Sequence, residues 1–311
     1  KAQGRWIDAF ELAVRFSQSN VAEIIDKAGS RYFSEGLFHQ FWESCKHLSI
    51  DTLEDEMVAY WYYSAAIATN NHRSIEKDIF RYLKQRDAPE LRALVAVSMP
   101  TSTMLADAQR AHAIKENAIT TRALGFAYAT SGQPRNGIEL LMRANEYANQ
   151  EGNEHLQVAT SNELAIAHQL SGEYGEAYRW AAWAMAQFNE FGMKEEIRRL
   201  SIISEMAYAA MLIGRVESVS ALLDNVSLPE AMHGIPSLEG LLLTLVDYSL
   251  MRGAPRTALE YALANYESLP DTLRGYGAIG VVESLMALGR ESEAVDLADS
   301  IYYSMYRASE T

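Results

Sequence analysis

Residues 123–137 read ALGFAYATSGQPRNG, and this stretch decides the fold. An apolar run at helical spacing ends at Gly132, and a second amphipathic run follows it, with the small residue Gly137 five positions after that glycine. Glycine often ends a helix because it adopts the left-handed backbone conformation at no steric cost. Pro134 suits the first turn of the second helix, where a missing backbone N–H is tolerated. The stretch therefore predicts two antiparallel helices joined by a tight turn.

The same pattern recurs four times downstream at intervals of 36 to 42 residues. Each copy has a turn glycine and, five positions later, a small or β-branched residue where the two helices approach: Gly172 and Ala177, Gly214 and Val219, Gly253 and Ala258, Gly289 and Ala294. Repeats of this length are typical of stacked helix–turn–helix units. Upstream of residue 119 the pattern is less regular, and no segment alternates as a strand would. Helices are predicted there at Trp6–Ser17, Val21–Ser34, 37–48, 54–69, Ile75–Lys84, Pro89–Ser98 and Met104–Ile114.

The overall charge restricts the classes of partner. The chain has 311 residues, of which 27 are Lys or Arg and 41 are Asp or Glu, so its net charge is −14. An acidic surface repels phosphate backbones, and we therefore expect no direct binding of nucleic acid by this segment. No apolar run is long enough to cross a bilayer, so we expect no membrane partner either. The single cysteine, Cys45, allows no disulfide within the chain, which favours a reducing, cytoplasmic location. Its apolar neighbours predict a buried thiol.

Two motifs each allow two interpretations. Asp51, Glu54, Asp55 and Glu56 could bind a cation, but they also stand where a helix begins, with Asp51 or Thr52 as its cap. The motif Gly275-x-Gly277-x-x-Gly280 is typical of a dinucleotide loop only when it follows a strand. We favour the helix start for the first motif and close helix packing for the second.

The histidines show no zinc spacing. His39, Cys45 and His47 are near in sequence but do not share a helical face, and His168 occupies the place of Tyr128 in the preceding repeat, which favours a packed residue. No serine or cysteine lies in a catalytic signature. We therefore expect no catalytic residue, no bound metal and no cofactor. Carboxylates could still meet across helices, which the sequence alone does not reveal.

The stretch quoted above resembles a tetratricopeptide (TPR) motif. Leu124-Gly125, Tyr128 and Ala144 match the motif, while Thr121 stands where the motif has tryptophan. The repeat is longer than the TPR unit of about 34 residues. This length and the sequence pattern of residues 120–190 resemble the helical-repeat domains of MalT/LuxR-type and SARP-type bacterial transcription regulators. The resemblance implies an all-α fold, a right-handed superhelix (α-solenoid) of about eight antiparallel helix pairs. Residues 1–118 would form irregular N-terminal pairs continuous with the solenoid, and residues 119–311 the regular repeats.

The same resemblance implies where a ligand binds. In TPR-like arrays the first helix of each pair lines a concave groove, and the residues that would face it here are Arg122, Phe126, Asn162, Gln169, Tyr208, Asp247 and Glu283. We expect a non-catalytic sensor or binding domain of a transcription or signalling regulator, recognising a protein, a peptide or a small effector. Neither an ATPase loop nor a supported DNA-binding motif is visible in this segment. An adaptor for complex assembly, and an enzyme on a helical scaffold, remain the alternatives, and self-association is compatible with both.

Overall fold

Seventeen α-helices make up the described part of the chain in a computed structural model. The structure describes residues 5–48, 52–69, 71–98, 103–224, 226, 238–268 and 274–309. The first seven helices are α1 (Arg5–Phe16), α2 (Val21–Ser34), α3 (Phe38–Cys45), α4 (Glu56–Ala68), α5 (His72–Gln85), α6 (Pro89–Ser98) and α7 (Met104–Ile114). The other ten are α8 (Ala118–Thr130), α9 (Pro134–Gln150), α10 (Glu154–Leu170), α11 (Tyr174–Glu190), α12 (Glu196–Leu212), α13 (Val216–Leu223), α14 (Glu239–Met251), α15 (Pro255–Ser268), α16 (Arg274–Ala287) and α17 (Glu291–Ser309). The sequence of residues 225–237, with Pro229, Gly234 and Pro236, predicts the longest loop, and this stretch lies outside the described residues apart from Val226.

The five predicted turns are confirmed. Every turn glycine has a positive φ, between 71° and 83°. The residue five positions later is buried in each pair, whether it is Gly137, Ala177, Val219, Ala258 or Ala294. Consecutive helices pack against each other along the sequence. The fold is therefore all-α and built of sequential helix pairs of the TPR-like type, as predicted.

The chain forms two compact units, residues 1–202 and residues 203–311, and the division falls within α12. This division reflects compactness, whereas the predicted boundary at residue 118 reflects the regularity of the repeats. That boundary and the superhelical form stay predictions. Among the described residues, no helix is long and apolar enough to cross a membrane.

An aromatic-rich core holds the N-terminal helices of unit 1–202 together. Tyr32 stacks on Phe41 with ring centroids 4.8 Å apart, and both side chains are fully buried. Cys45 lies in the same core, where burial raises the pKa of its thiol, so the predicted buried cysteine is confirmed. His39 and His47 are exposed and do not converge on it.

Two details of residues 119–190 test the predicted helix faces. His168 is buried, and its Nδ1 lies 2.7 Å from Glu173 Oε2, which confirms a packed residue. The apolar spacing of Ile138, Leu141, Met142 and Tyr147 predicts one stripe of the second helix, but Met142 is 47% exposed. The buried positions of that helix are Gly137, Leu141, Ala144 and Ala148, which are spaced at three and four residues.

The acidic cluster opens a helix, but with a different cap. Asp55, rather than Asp51 or Thr52, is the N-cap of α4, and its Oδ1 accepts hydrogen bonds from the backbone N–H groups of Met57 at 2.9 Å and Val58 at 3.1 Å. Asp51 lies outside the described residues. The helix-start interpretation is confirmed for Asp55, because its carboxylate accepts hydrogen bonds from backbone N–H groups that have no partner within the helix.

Asp55→Ala is expected to lower the free energy of unfolding of unit 1–202 by about 1 kcal/mol, because both backbone donors lose their acceptor. Urea unfolding followed by tryptophan fluorescence measures this unit alone, since all five tryptophans precede residue 184. Asp55→Asn is the matched control because it keeps an accepting oxygen. Equal losses in the two variants would show that capping is not what Asp55 contributes.

In unit 203–311 the glycine motif lies inside α16 rather than between a strand and a helix. A Cβ placed on Gly280 would lie 3.3 Å from a methyl group of Val246 and 3.5 Å from the Ala262 side chain. The close-packing interpretation is therefore confirmed for Gly280, which lets α16 approach α14 and α15.

Candidate functional site

The predicted groove residues all lie on the first helices of their pairs, but the two compact units divide them. Unit 1–202 holds Arg122, Phe126, Asn162 and Gln169, on α8 and α10, and unit 203–311 holds Tyr208, Asp247 and Glu283, on α12, α14 and α16. The structure places the two sets in different chemical settings.

Arg122 forms a bidentate ion pair with Glu163 of the next repeat. Its Nε donates to Glu163 Oε2 at 2.8 Å, and its Nη2 donates to Oε1. Both side chains are largely buried, at 17% and 10% exposure. Burial disfavours the guanidinium charge, but the attraction of Glu163 prevails and raises the pKa of Arg122. The charge expected to meet a ligand is therefore neutralised within the chain.

Asn162 is also buried within unit 1–202. Its Nδ2 donates to Ser201 Oγ at 3.1 Å, whereas its buried Oδ1 accepts no hydrogen bond from the described residues. Phe126 and Gln169 are half-buried. Arg122 and Asn162 thus belong to a packed polar layer, and the groove assignment of the row stays a prediction.

A second ionic group extends this layer. Arg198 Nε donates to Glu195 Oε2 at 3.0 Å, and Arg198 Nη2 lies 3.1 Å from His155 Nε2. Burial and the neighbouring guanidinium lower the pKa of His155. Burial opposes the charge of Glu195, but Arg198 and His155 together lower the pKa of that carboxyl to about 2. The three side chains form a neutral imidazole next to an ion pair.

The N-terminal helices close over this layer. The Phe33 ring meets the His155 ring edge-on at 5.7 Å. The backbone N–H of Lys194 donates to Ser34 O at 2.7 Å, and its ammonium donates to Glu35 Oε2 at 2.7 Å. Gly36, with φ +70°, fits where a Cβ would lie 2.7 Å from Lys194 O. The end of α2 therefore covers the side of α10 that carries His155, a contact that the repeat pattern does not predict.

Sequence reasoning missed Glu163, His155, Glu195 and Arg198. A signal was present for the pair formed by Glu163, because its partner Arg122 lies 41 residues away, which is one repeat length. The contacts of Ser34 and Glu35 with Lys194 have no such signal, since they join the irregular helices to a turn in the regular array.

Unit 203–311 presents the opposite situation. Asp247 on α14 and Glu283 on α16 lie close enough to interact, and each stands six residues before its turn glycine. Burial and the charge of Glu283 raise the pKa of Asp247 to about 6. Among the described residues, no hydrogen bond or ion pair joins either carboxylate to a basic side chain. The pair therefore carries negative charge that the described part of the chain does not compensate.

Apolar side chains flank this carboxylate pair. Ile279 and Met286, four residues before and three residues after Glu283 on α16, are 56% and 51% exposed. Tyr208 on α12 is half-buried. On the same helices, Ser204 and Thr244 share a hydrogen bond at 3.1 Å, which ties α12 to α14 within this unit. The exposed part of the face thus combines acidic and apolar groups.

The described residues contain no group of three His, Cys, Asp or Glu side chains placed to hold a metal ion. Asp247 and Glu283 thus form a pair without a third ligand, which is fewer than stable metal sites in proteins use.

Comparison with known proteins gives matches among solved structures alone. No protein-family model matches the chain, and no curated protein matches it. Among solved structures, the chain is similar to a crystal structure from Podospora anserina described as a kinesin light chain with nearly identical TPR-like repeats. The match has a TM-score of 0.45 and 20% identity, and covers 62% of this chain and 96% of that one. The TPR-like assignment itself rests on the paired helices and glycine turns described above.

Proposed function

We propose that the chain is a non-catalytic protein-binding domain that recognises a basic, amphipathic segment of a partner through α14 and α16. The observation that carries this proposal is the uncompensated pair Asp247 and Glu283. A lysine or arginine from a partner would supply the missing countercharge, and apolar residues beside it would contact Ile279 and Met286. Partner helices that combine basic and apolar residues bind in grooves through their apolar side chains, and their charges set orientation and specificity.

The unit 1–202 supports this choice by contrast. Arg122 and Asn162 are engaged within the chain, so a ligand would have to compete with Glu163 and Ser201 for them. The resemblance to bacterial regulators further supports a domain that passes binding to attached modules, such as a sensor in transcription or signalling control. An adaptor for complex assembly would use the same face.

An enzyme is the second candidate, and one observation favours it. A carboxyl with a pKa of about 6 next to a second carboxylate is a suitable general acid or base. Binding without turnover is the simpler proposal, because the Glu283 carboxylate is exposed to water.

Asp247→Asn combined with Glu283→Gln is expected to weaken binding of a fluorescent Lys/Leu amphipathic peptide by about tenfold at low salt, equivalent to one lost partly desolvated ion pair. Fluorescence anisotropy measures the affinity, with the same peptide carrying Glu in place of Lys as a negative control. Glu291→Gln with Asp299→Asn, two exposed residues of α17, removes the same charge elsewhere. Equal weakening in both double variants would mean that only net charge matters, and would overturn the assigned face.

The pH dependence of the same binding follows from Asp247. Its carboxyl is mostly ionised at pH 7 and mostly protonated at pH 5, so affinity for the Lys/Leu peptide is expected to fall as the pH decreases through about 6. Asp247→Asn should remove this dependence while Glu291→Gln keeps it. A pH profile that is the same in Asp247→Asn and the unmodified protein would assign the dependence to another group.

A further inference from the structure

Four helix ends of unit 1–202 meet at two carboxylates, Glu56 and Glu90. Glu56 is the first residue of α4, and Glu90 is the second residue of α6. Glu56 Oε1 accepts a hydrogen bond from the backbone N–H of Glu90 at 2.7 Å. The Glu90 side chain reaches Lys115, which follows α7, and Asn117, which caps α8.

The two oxygens of Glu90 have different environments. Oε1 accepts from the ammonium of Lys115 and, at 2.9 Å, from Asn117 Nδ2. Oε2 is fully buried and accepts no hydrogen bond from any N–H or O–H of the described residues. Glu90 as a whole is only 2% exposed. A buried acceptor without a donor destabilises a fold, so this oxygen calls for a partner.

The Glu56 carboxyl group is in place to be that partner. Its Oε1 already lies 2.7 Å from the backbone N of Glu90, so the two carboxyl groups are close together, and a hydrogen bond between carboxyl groups requires a proton on one of them. We propose that Glu56 and Glu90 share one proton: Glu56, as a carboxylic acid, donates from its hydroxyl to Glu90 Oε2, while Glu90 stays ionised beside Lys115. Every oxygen of Glu90 then has a donor.

The surrounding charges favour this assignment of the proton. Burial and the neighbouring Glu90 raise the pKa of Glu56 to about 7. Burial opposes the charge of Glu90, but the hydrogen bonds from Glu56 and Lys115 lower its pKa. The other titratable or charged groups around the pair are Glu54 and Asp55 before α4, Tyr60 on α4, Tyr82 on α5, Arg86 after α5, and Glu151, which faces Lys115. Among the described residues, Lys115 is the one basic group that forms an ion pair with Glu90.

The shared proton makes the contact between α4 and α6 depend on pH. The folded pKa of Glu56 lies above that of an unfolded glutamate, so the folded state binds more protons in the interval between them. The stabilisation is complete below the unfolded value and is lost as the pH rises through about 7. Above that pH two carboxylates share one ammonium, and the attachment of α4 to α6 weakens.

Glu56→Gln tests the proposal on the whole chain. The glutamine carbonyl can accept from the N–H of Glu90, and its amide can donate to Oε2, so the variant imitates the protonated acid at every pH. We expect its unfolding temperature, followed by tryptophan fluorescence, to exceed that of the unmodified protein by about 2–4 °C at pH 8 and to equal it at pH 5.5. Glu139→Gln, an exposed change on α9, should alter neither value.

Two further measurements keep the proposal falsifiable. A ¹³C titration of the glutamate carboxyls should show one group, absent in Glu56→Gln, that titrates well above the ordinary range. Titration of every glutamate in the ordinary range, or a lower unfolding temperature for Glu56→Gln at pH 8, would overturn the proposal. An unfolding temperature at pH 8 that rises with added Mg²⁺ or Ca²⁺ in the unmodified protein, but not in Glu56→Gln, would show that a cation rather than a proton bridges the pair, and would also overturn it.

Discussion

Arg122→Ala is expected to lower the free energy of unfolding of unit 1–202 by about 3–5 kcal/mol. Glu163, whose side chain is only 10% exposed, would remain buried without its guanidinium partner. An uncompensated buried charge costs far more than an exposed ion pair contributes. Urea unfolding followed by tryptophan fluorescence measures the loss in this unit.

Two controls isolate the cause of that loss. Arg179→Ala removes an arginine that is 72% exposed and paired with Glu176 on the surface of α11, and should change stability little. Arg122→Met with Glu163→Leu removes both charges and should recover most of the stability. A loss in Arg122→Ala no larger than in Arg179→Ala would mean that the pair is not buried in solution. The result also matters for binding studies, because reduced affinity in an Arg122 variant would first reflect damage to α8 and α10.

Gly137→Val is expected to cost about 3 kcal/mol or more in the same unit, because α8 and α9 cannot approach with a side chain between them. Even a Cβ alone would lie 2.6 Å from the carbonyl oxygen of Gly125 and 2.8 Å from Ala129 Cβ. Gly137→Ala should therefore also destabilise, although alanine favours a helix by about 1 kcal/mol over glycine.

Gly175 provides the matched control for this prediction. It lies in the first turn of α11, and a Cβ there meets no atom within 4 Å. Gly175→Ala should stabilise the unit by a few tenths to about 1 kcal/mol through helix propensity. The two alanine variants thus have opposite expected signs, and stabilisation by both would refute close helix contact at Gly137.

The local features of the fold could be predicted from the sequence because their causes are local. Turn glycines, small residues at helix contacts and apolar spacing fixed the helices to within a few residues, even upstream of residue 119. The choice of Asp51 or Thr52 as the cap was wrong because the carboxylate that reaches the free N–H groups depends on where the chain bends before α4. The exposure of Met142 was missed because successive side chains on an α-helix are about 100° apart. Met142 follows the buried Leu141 directly and therefore points to the edge of the buried stripe.

The candidate site was less predictable because it depends on distant contacts. Asp247 and Glu283 occupy equivalent positions in successive repeats, so their proximity follows from the repeat length once the stacking is known. The burial of Arg122 and Asn162 does not follow from it. Arg122 lies near Tyr60 of α4, and α2 packs against α10, and neither contact has a counterpart in the repeat pattern.

The contact between Glu35 and Lys194 has a consequence for how the protein is made. The two residues are separated by 159 positions, so the ribosome must add that whole length before the partner of Glu35 exists. At roughly 5–20 residues per second, synthesis takes about 8–30 s to deliver it. During that interval the end of α2 lacks its partner in the regular repeats, although its aromatic side chains can already pack with those of α1, α3 and α4.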